Sequence, residues 1–267
     1  MSLKISLKPK YLLLFIFLEL FTCNYFSLSP AQKPQQSNET ETQSRQNSSL
    51  KLPSRGAPLG RRRGGTSRNG CPAVDVPLTA LVPGQETATG LSSSNSFLAS
   101  TVSEHPTFWL YIPKLPDILR KGEFILQTET GEDLERTQIE LPSTAGAMAI
   151  ALSSNAQYSL VTGKKYHWYF KIYCGEPTPD SDYIFVDAWI EKVALSPELE
   201  IQLQILQKPD YLVYSDRQIW YDSLTSLGKQ IQTNPNNNEL KTDWHNLLRM
   251  VELCHLSNYP IVKIYQL

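Results

Sequence analysis

From residue 76 onward, apolar and polar positions alternate in short runs, and the period changes only after Ala194. Residues 76–82, 107–112, 123–128, 137–141, 147–152, 165–174 and 183–194 read as strands, separated by Gly, Pro, Asn or Ser. The clearest is 165–174. Tyr166, Trp168, Phe170, Ile172 and Cys174 fall on one face, and His167, Tyr169, Lys171 and Tyr173 on the other. A period of two marks a strand buried on one side. Glu129-Thr130-Gly131-Glu132-Asp133 reads as a hairpin tip. Seven strands in roughly 120 residues suit an immunoglobulin/fibronectin-like antiparallel β-sandwich.

After Ala194 the apolar period becomes helical. Ser196-Pro197-Glu198 supplies an N-cap, a proline at the first helical position and an acid in the first turn. Leu199, Leu203 and Leu206 follow at helical spacing until Lys208-Pro209 ends the element. A second stripe carries Trp220, Leu224, Leu227 and Ile231. The run from Asn234 to Asn238 breaks it, and a third carries Leu240, Trp244, Leu247, Leu248 and Val251. This short C-terminal helical hairpin needs another surface to cover it, and the sandwich is the nearest. The chain is thus mainly β with α.

The N-terminus adds a compartment. Lys4, Lys8 and Lys10 precede an apolar run of about 16 residues that includes Glu19, short of the roughly 20 that a spanning helix needs. Ser29-Pro30-Ala31 offers small residues for signal peptidase, so cleavage is expected before Gln32. A periplasmic or extracellular protein follows, not integral to the membrane once cleaved. A retained anchor, or lipidation at Cys23, is the lesser alternative. The expected order is signal peptide 1–31, disordered linker with a basic Gly/Arg arm 32–75, β-sandwich 76–195, helical subdomain 196–257 and C-terminal tail 258–267.

Charge is uneven along the chain. The formal net charge is −1, with +2 in residues 1–31, +5 in 32–75 and −8 in the remainder. Residues 32–52 are too poor in apolar groups to offset their ordering entropy. The arm that follows contains Arg55, Arg61, Arg62, Arg63 and Arg68 among glycines. It reads either as a solvated basic linker or as an anion-contacting segment, since arginine forks suit phosphate or carboxylate. The partner would be an unknown envelope protein or an anionic wall or lipid polymer. Nucleic acid is not expected, because the acidic body would repel a polyanion.

Several segments carry a family resemblance. They include Gly60 to Arg68 ahead of Cys71, Leu78-Thr79-Ala80-Leu81-Val82-Pro83, and Pro106-Thr107-Phe108-Trp109-Leu110-Tyr111-Ile112-Pro113. Tyr166-His167-Trp168-Tyr169-Phe170, Ile219-Trp220-Tyr221-Asp222-Ser223-Leu224 and Asp243-Trp244-His245-Asn246-Leu247-Leu248 continue them in order. Together, over roughly residues 55–262, they resemble the domain of unknown function 928, known mainly from cyanobacteria. The resemblance implies export and an architecture, and supplies no activity or catalytic residues.

In an exported chain cysteines are read first as disulfides. Cleavage before Gln32 removes Cys23 and leaves Cys71, Cys174 and Cys254. Cys71–Cys174 is the expected bridge, joining the start of the sandwich to the end of its clearest strand. The alternative is a pair of buried free thiols. Closing about 100 residues stabilises by up to about 4.7 kcal/mol in the chain-entropy model. Cys254 reads as a small buried hydrophobe rather than a reactive thiol.

Catalytic signals are thin. His105, His167, His245 and His255 show no metal-ligand spacing, and there is no Gly-x-Ser-x-Gly elbow. Asp180-Ser181-Asp182 reads as a solvated acidic turn rather than a calcium loop. No catalytic residue, metal or cofactor is assigned. Most tryptophans belong to the core, while Trp109 and Trp189 have uncertain facing and, with Tyr221 and Asp222, are candidate partner contacts; Tyr221-Asp222 could equally cap a contact with the sandwich. The chain reads as a non-enzymatic envelope binding module. The alternative is an extracytoplasmic hydrolase on wall or polysaccharide substrates, with Asp180, Asp182 or Asp187 converging on a histidine.

Overall fold

Between Lys165 and Tyr173 the buried residues are Tyr166, Trp168, Phe170 and Ile172, so sequence alternation becomes an inside and an outside. The computed structural model describes residues 60–64, 70–84, 98–154, 158–178, 180–205 and 208–267. The leader, residues 32–59 of the linker and Cys23 lie outside them. Among the described residues there are nine strands and four α-helices. The strands are β1 (Thr79–Ala80), β2 (Leu98–Thr101), β3 (Thr107–Ile112), β4 (Lys121–Thr128), β5 (Asp133–Glu140), β6 (Gly146–Ala151), β7 (Lys165–Tyr173), β8 (Tyr183–Lys192) and β9 (Ile261–Gln266). The helices are α1 (Pro197–Ile205), α2 (Asp210–Asp216), α3 (Trp220–Thr233) and α4 (Asn238–Arg249).

Two sheets form, ordered β1-β3-β6-β9 and β2-β8-β7-β4-β5. Their inner faces meet at Phe108 of β3, whose ring centroid lies 4.9 Å from that of Phe124 on β4 and 5.4 Å from that of Trp168 on β7. The expected sandwich is therefore present. The hairpin tip also appears: Gly131, at φ 87°, turns the chain between β4 and β5. Pairing is antiparallel except at two sheet edges, where β2 runs parallel to β8 and β9 parallel to β6. Both are reached by long connections, as parallel pairs require. Residues 258–267, read above as a tail, thus contain an edge strand. Its apolar run, Ile261, Val262, Ile264 and Tyr265, is half-buried against the core.

The helical stripes settle on the outer side of β3. Trp109 points away from the sandwich core and meets Trp244 of α4 edge-on, with centroids 5.5 Å apart. Its Nε1 donates to Thr225 Oγ1 of α3 at 3.1 Å. All six residues of β3 are consequently buried, those of one face under the helices and those of the other in the sandwich. Three further bonds tie α3 inward. Trp220 Nε1 donates to Leu81 O (2.9 Å), Trp168 Nε1 donates to Tyr221 Oη (2.8 Å), and Tyr221 Oη donates to Trp189 O (3.2 Å). Both sheets share one apolar core with α3, α4 and Tyr211 of α2, while Leu199 of α1 packs with Val213 and Ile219 in a second, smaller cluster.

The ends of the helices follow local chemistry. Ser196 Oγ accepts from Leu199 N at 3.2 Å, and Asn237 Oδ1 accepts from Glu239 N at 2.8 Å. The described part of α1 ends at Ile205, Leu206 lying outside the described residues, and Pro209 begins α2, whose first bond runs from Leu212 N to Pro209 O at 2.9 Å. That short helix buries only Tyr211 and Val213 and has too few turns to show a periodic stripe.

Gly228 lets α3 approach β3, since a Cβ there would lie 2.3 Å from Cη2 of Trp109. Gly228→Ala is expected to destabilise by about 1–3 kcal/mol through overpacking, measured as a lowered urea midpoint with an unchanged slope.

Candidate functional site

The arginine segment is built into the fold. Arg61 N donates to Asp187 O at 3.0 Å and Asp187 N donates to Arg61 O at 2.9 Å, pairing the segment with β8. Two residues on, Gly64 N donates to Leu78 O at 2.7 Å, and Ala80 N donates to Arg62 O at 2.8 Å. Residues 61–64 therefore strap one sheet to the other. Extended chain points successive side chains to opposite sides, so Arg62 turns inward while Arg61 and Arg63 turn out. Arg62 is 1% exposed. Its Nη1 donates to Val251 O at 2.8 Å and to Gly84 O at 3.1 Å, with Val82 O at 3.5 Å.

This corrects the reading of the arm. Arg62 is not available to an external anion, because backbone carbonyls hold its guanidinium inside. Arg61 is half-buried, with its guanidinium carbon 4.7 Å from the centroid of Phe185. Arg63 is exposed at the strap's outer side, its backbone paired with Thr79. Arg55 and Arg68 lie outside the described residues.

The Cys71–Cys174 disulfide forms, with Cα atoms 4.9 Å apart across a sequence separation of 103. It joins the chain just after the strap to the end of β7. Cys254 is buried as expected but is also disulfide-bonded, so its reading as a lone hydrophobe does not hold.

The candidate partner contacts are internal. Trp109 and Tyr221 are buried at the junction described above, and Trp189 is buried on the outward sheet face against the His167 ring. Of the two alternatives for Tyr221-Asp222, the contact with the sandwich is the one observed. Asp222 Oδ2 accepts from Thr101 Oγ1 at 2.7 Å and from Val102 N at 3.1 Å, closing the end of β2. Burial pushes the Asp222 carboxyl above its ordinary range, outweighing the two donors that favour its charged form.

The outward face of the five-stranded sheet holds the polar chemistry that the β7 alternation only hints at. His167 Nε2 lies 2.7 Å from Asp187 Oδ2, and its Nδ1 lies 2.7 Å from Tyr169 Oη. The imidazole also stacks on Trp189, with centroids 4.2 Å apart and planes at 16°. With a neutral imidazole, Nε2–H donates to the carboxylate and Nδ1 accepts the phenol hydrogen. Burial and the charge of Asp187 push the Tyr169 phenol above its usual value, so it stays a hydroxyl. Farther along, Glu123 Oε2 accepts from Arg136 Nη1 (3.0 Å) and Tyr173 Oη (3.1 Å), and Lys171 Nζ stands 3.5 Å away. Burial, then the charge of Glu123, raises the Tyr173 phenol likewise.

Asp187 reaches a histidine, whereas Asp180 and Asp182 are exposed in the loop before β8 and do not join it. The polar groups can orient one another and offer hydroxyls outward. A groove of about 470 Å³ between α2 and α4 is lined by Leu212, Glu239, Thr242 and Asp243, where Tyr211 Oη donates to Asp243. Among the described residues no group of three or more His, Cys, Asp or Glu could hold a metal ion, and no helix is long and apolar enough to cross a membrane.

The fold and this face define a disulfide-stapled β-sandwich with a helical cap and one polar-aromatic sheet face. Residues 63–261 match the model of the Domain of Unknown Function (DUF928), and the chain belongs to that family. No curated protein and no solved structure matches it.

Arg62→Ala is expected to destabilise by roughly 3–5 kcal/mol in urea unfolding, because three carbonyls lose their buried donor and a cavity opens. Arg63→Ala serves as the exposed comparison, within about 0.5 kcal/mol of wild type. A raised carboxyl pKa means that Asp222 contributes stability below its unfolded value, and that this contribution is lost as pH rises through the folded value. In parallel urea titrations, wild type is therefore expected to lose stability relative to Asp222→Asn as pH rises from acid to neutral.

Proposed function

We propose that this protein is an exported, non-enzymatic binding module of the cell envelope, working in the periplasm or outside the cell. The observation that carries this reading is the commitment of the His167–Asp187 pair. Both imidazole nitrogens bond within the protein, so the ring is engaged in holding its neighbours and presents no unpartnered nitrogen to a ligand. The same bonds hold Tyr169 and His167 in place on the outward sheet face, over the buried Trp189, and such preorganisation suits a recognition surface. The disulfide supports an oxidising compartment. Of the arm, the exposed Arg63 is the candidate contact for an anionic partner, with Arg55 and Arg68, which lie outside the described residues. The hydrolase alternative rests on Asp187 alone.

The test is intact-mass analysis of protein from the native envelope, with N-terminal sequencing and affinity recovery of bound material. A start near Gln32, a mass gain on reduction that includes the two hydrogens of Cys71–Cys174 and a stoichiometric partner are the expected results. A start at Met1 with free thiols would sink export. Turnover of a wall substrate that is lost in His167→Gln would replace binding with catalysis.

A further inference from the structure

The register of β7 against β8 sets their outward side chains in rows: Tyr173 beside Tyr183, Lys171 beside Phe185, Tyr169 beside Asp187 and His167 beside Trp189. Successive outward residues of a strand stand about 6.6 Å apart, so these rows run about 20 Å along the sheet. The helices pack on β2 and β3, and the outward residues of β7 are only partly buried, with the Lys171 side chain 22% exposed. At one end of the rows, Tyr183 is 45% exposed, with ring centroids of Tyr173 at 6.2 Å and Phe185 at 5.9 Å.

The charges of this face close on one another. Glu123 is met by Arg136, Lys171 and Tyr173, Asp187 by His167, and Asp133 by Arg136. Lys171 Nζ also lies 5.0 Å from the Tyr183 ring centroid. An anionic polymer would have to draw Lys171 from Glu123 and Tyr183. A protein partner would want a broad apolar centre, depleted in charge. What the rows present is aromatic ring surface interspersed with hydroxyls and paired carboxylates, with the half-buried Arg61 guanidinium packed against Phe185. The complementary ligand is long, uncharged and amphipathic, with C–H faces for the rings and hydroxyls for the polar tips.

Resting on the binding-module reading above, we infer that the outward rows of β7 and β8, centred on Tyr173, Tyr183 and Phe185 and extending to Tyr169, bind a neutral linear polysaccharide. Burial keeps the Tyr169 and Tyr173 phenols protonated, so each can both donate to and accept from sugar hydroxyls.

The experiment is affinity electrophoresis of the disulfide-intact secreted protein in gels containing hydroxyethylcellulose, another soluble neutral glucan, or alginate as the anionic comparison. Retardation by a neutral glucan is expected, insensitive to salt and roughly tenfold weaker for Tyr183→Ala, the scale of one aromatic contact. Tyr183→Phe should retain most of it. Circular dichroism and thermal unfolding show whether each variant is folded. No retardation by either neutral glucan overturns the inference, as does retardation that Tyr183→Ala leaves unchanged. Retardation by alginate alone, lost at high salt, overturns the ligand class and leaves the binding module standing. If envelope recovery also yields no partner of any kind, the module reading falls as well.

Discussion

A guanidinium sealed between two sheets sets the terms for the rest of this structure. Removing a charged group from water costs several kcal/mol unless hydrogen bonds replace the lost solvation. The carbonyls that accept from Arg62 come from Val82 and Gly84 after β1, and from Val251 after α4. These positions are as far apart as 189 residues from Arg62 itself. The charge is satisfied only when strap, sandwich and helical layer are all in place, so one side chain links three regions that are distant along the chain. Its loss would leave buried carbonyls unmatched, an asymmetry that makes such contacts obligatory once formed.

The helical layer is bound to the sandwich by the same logic of polar satisfaction within an apolar junction. Trp109, Trp168 and Trp220 each bury a large ring and place the indole N–H on a partner: Thr225, Tyr221 or the carbonyl of Leu81. Tyr221 both accepts from Trp168 and donates to the carbonyl of Trp189, crossing from α3 to the five-stranded sheet. Asp222, the next residue, closes the end of β2. The opening turn of α3 is thus an internal joint, and the polar-aromatic rows of β7 and β8 lie on the outward face of the five-stranded sheet. There, the pairing of Glu123, Asp133 and Asp187 makes the face polar without making it strongly charged. That property separates it from the −8 charge of the chain beyond residue 75.

Much of the architecture was legible in the residues. The alternation of 165–173 specified which side of β7 is buried, because a period of two leaves no other facing once one side is apolar. Trp220 to Leu227 and Leu240 to Leu248 specified the helical stripes for the same reason at a different period. The Cys71–Cys174 bridge followed from compartment and position. Elements too short for a period escaped, β2 with four residues and α2 with seven, while the strand read over 76–82 shrinks to the two residues of β1. The six-residue β9 was passed over because it belongs to its sheet only through a parallel pairing with β6.

The sequence by itself determined the inward stripes, the helical caps at Ser196 and Asn237, and the cysteines available for bridging, since each depends on neighbours a few residues away or on composition. Tertiary structure alone decided that Arg62 is core while Arg61 and Arg63 are not, that Trp109 and Tyr221 face a junction instead of a partner, and that His167 meets Asp187. Those outcomes depend on which distant backbone groups come within about 3 Å, a distance over which hydrogen bonding is decided. Local patterning carries no information about partners 20 to 189 residues away. Only the closed sandwich brings them together.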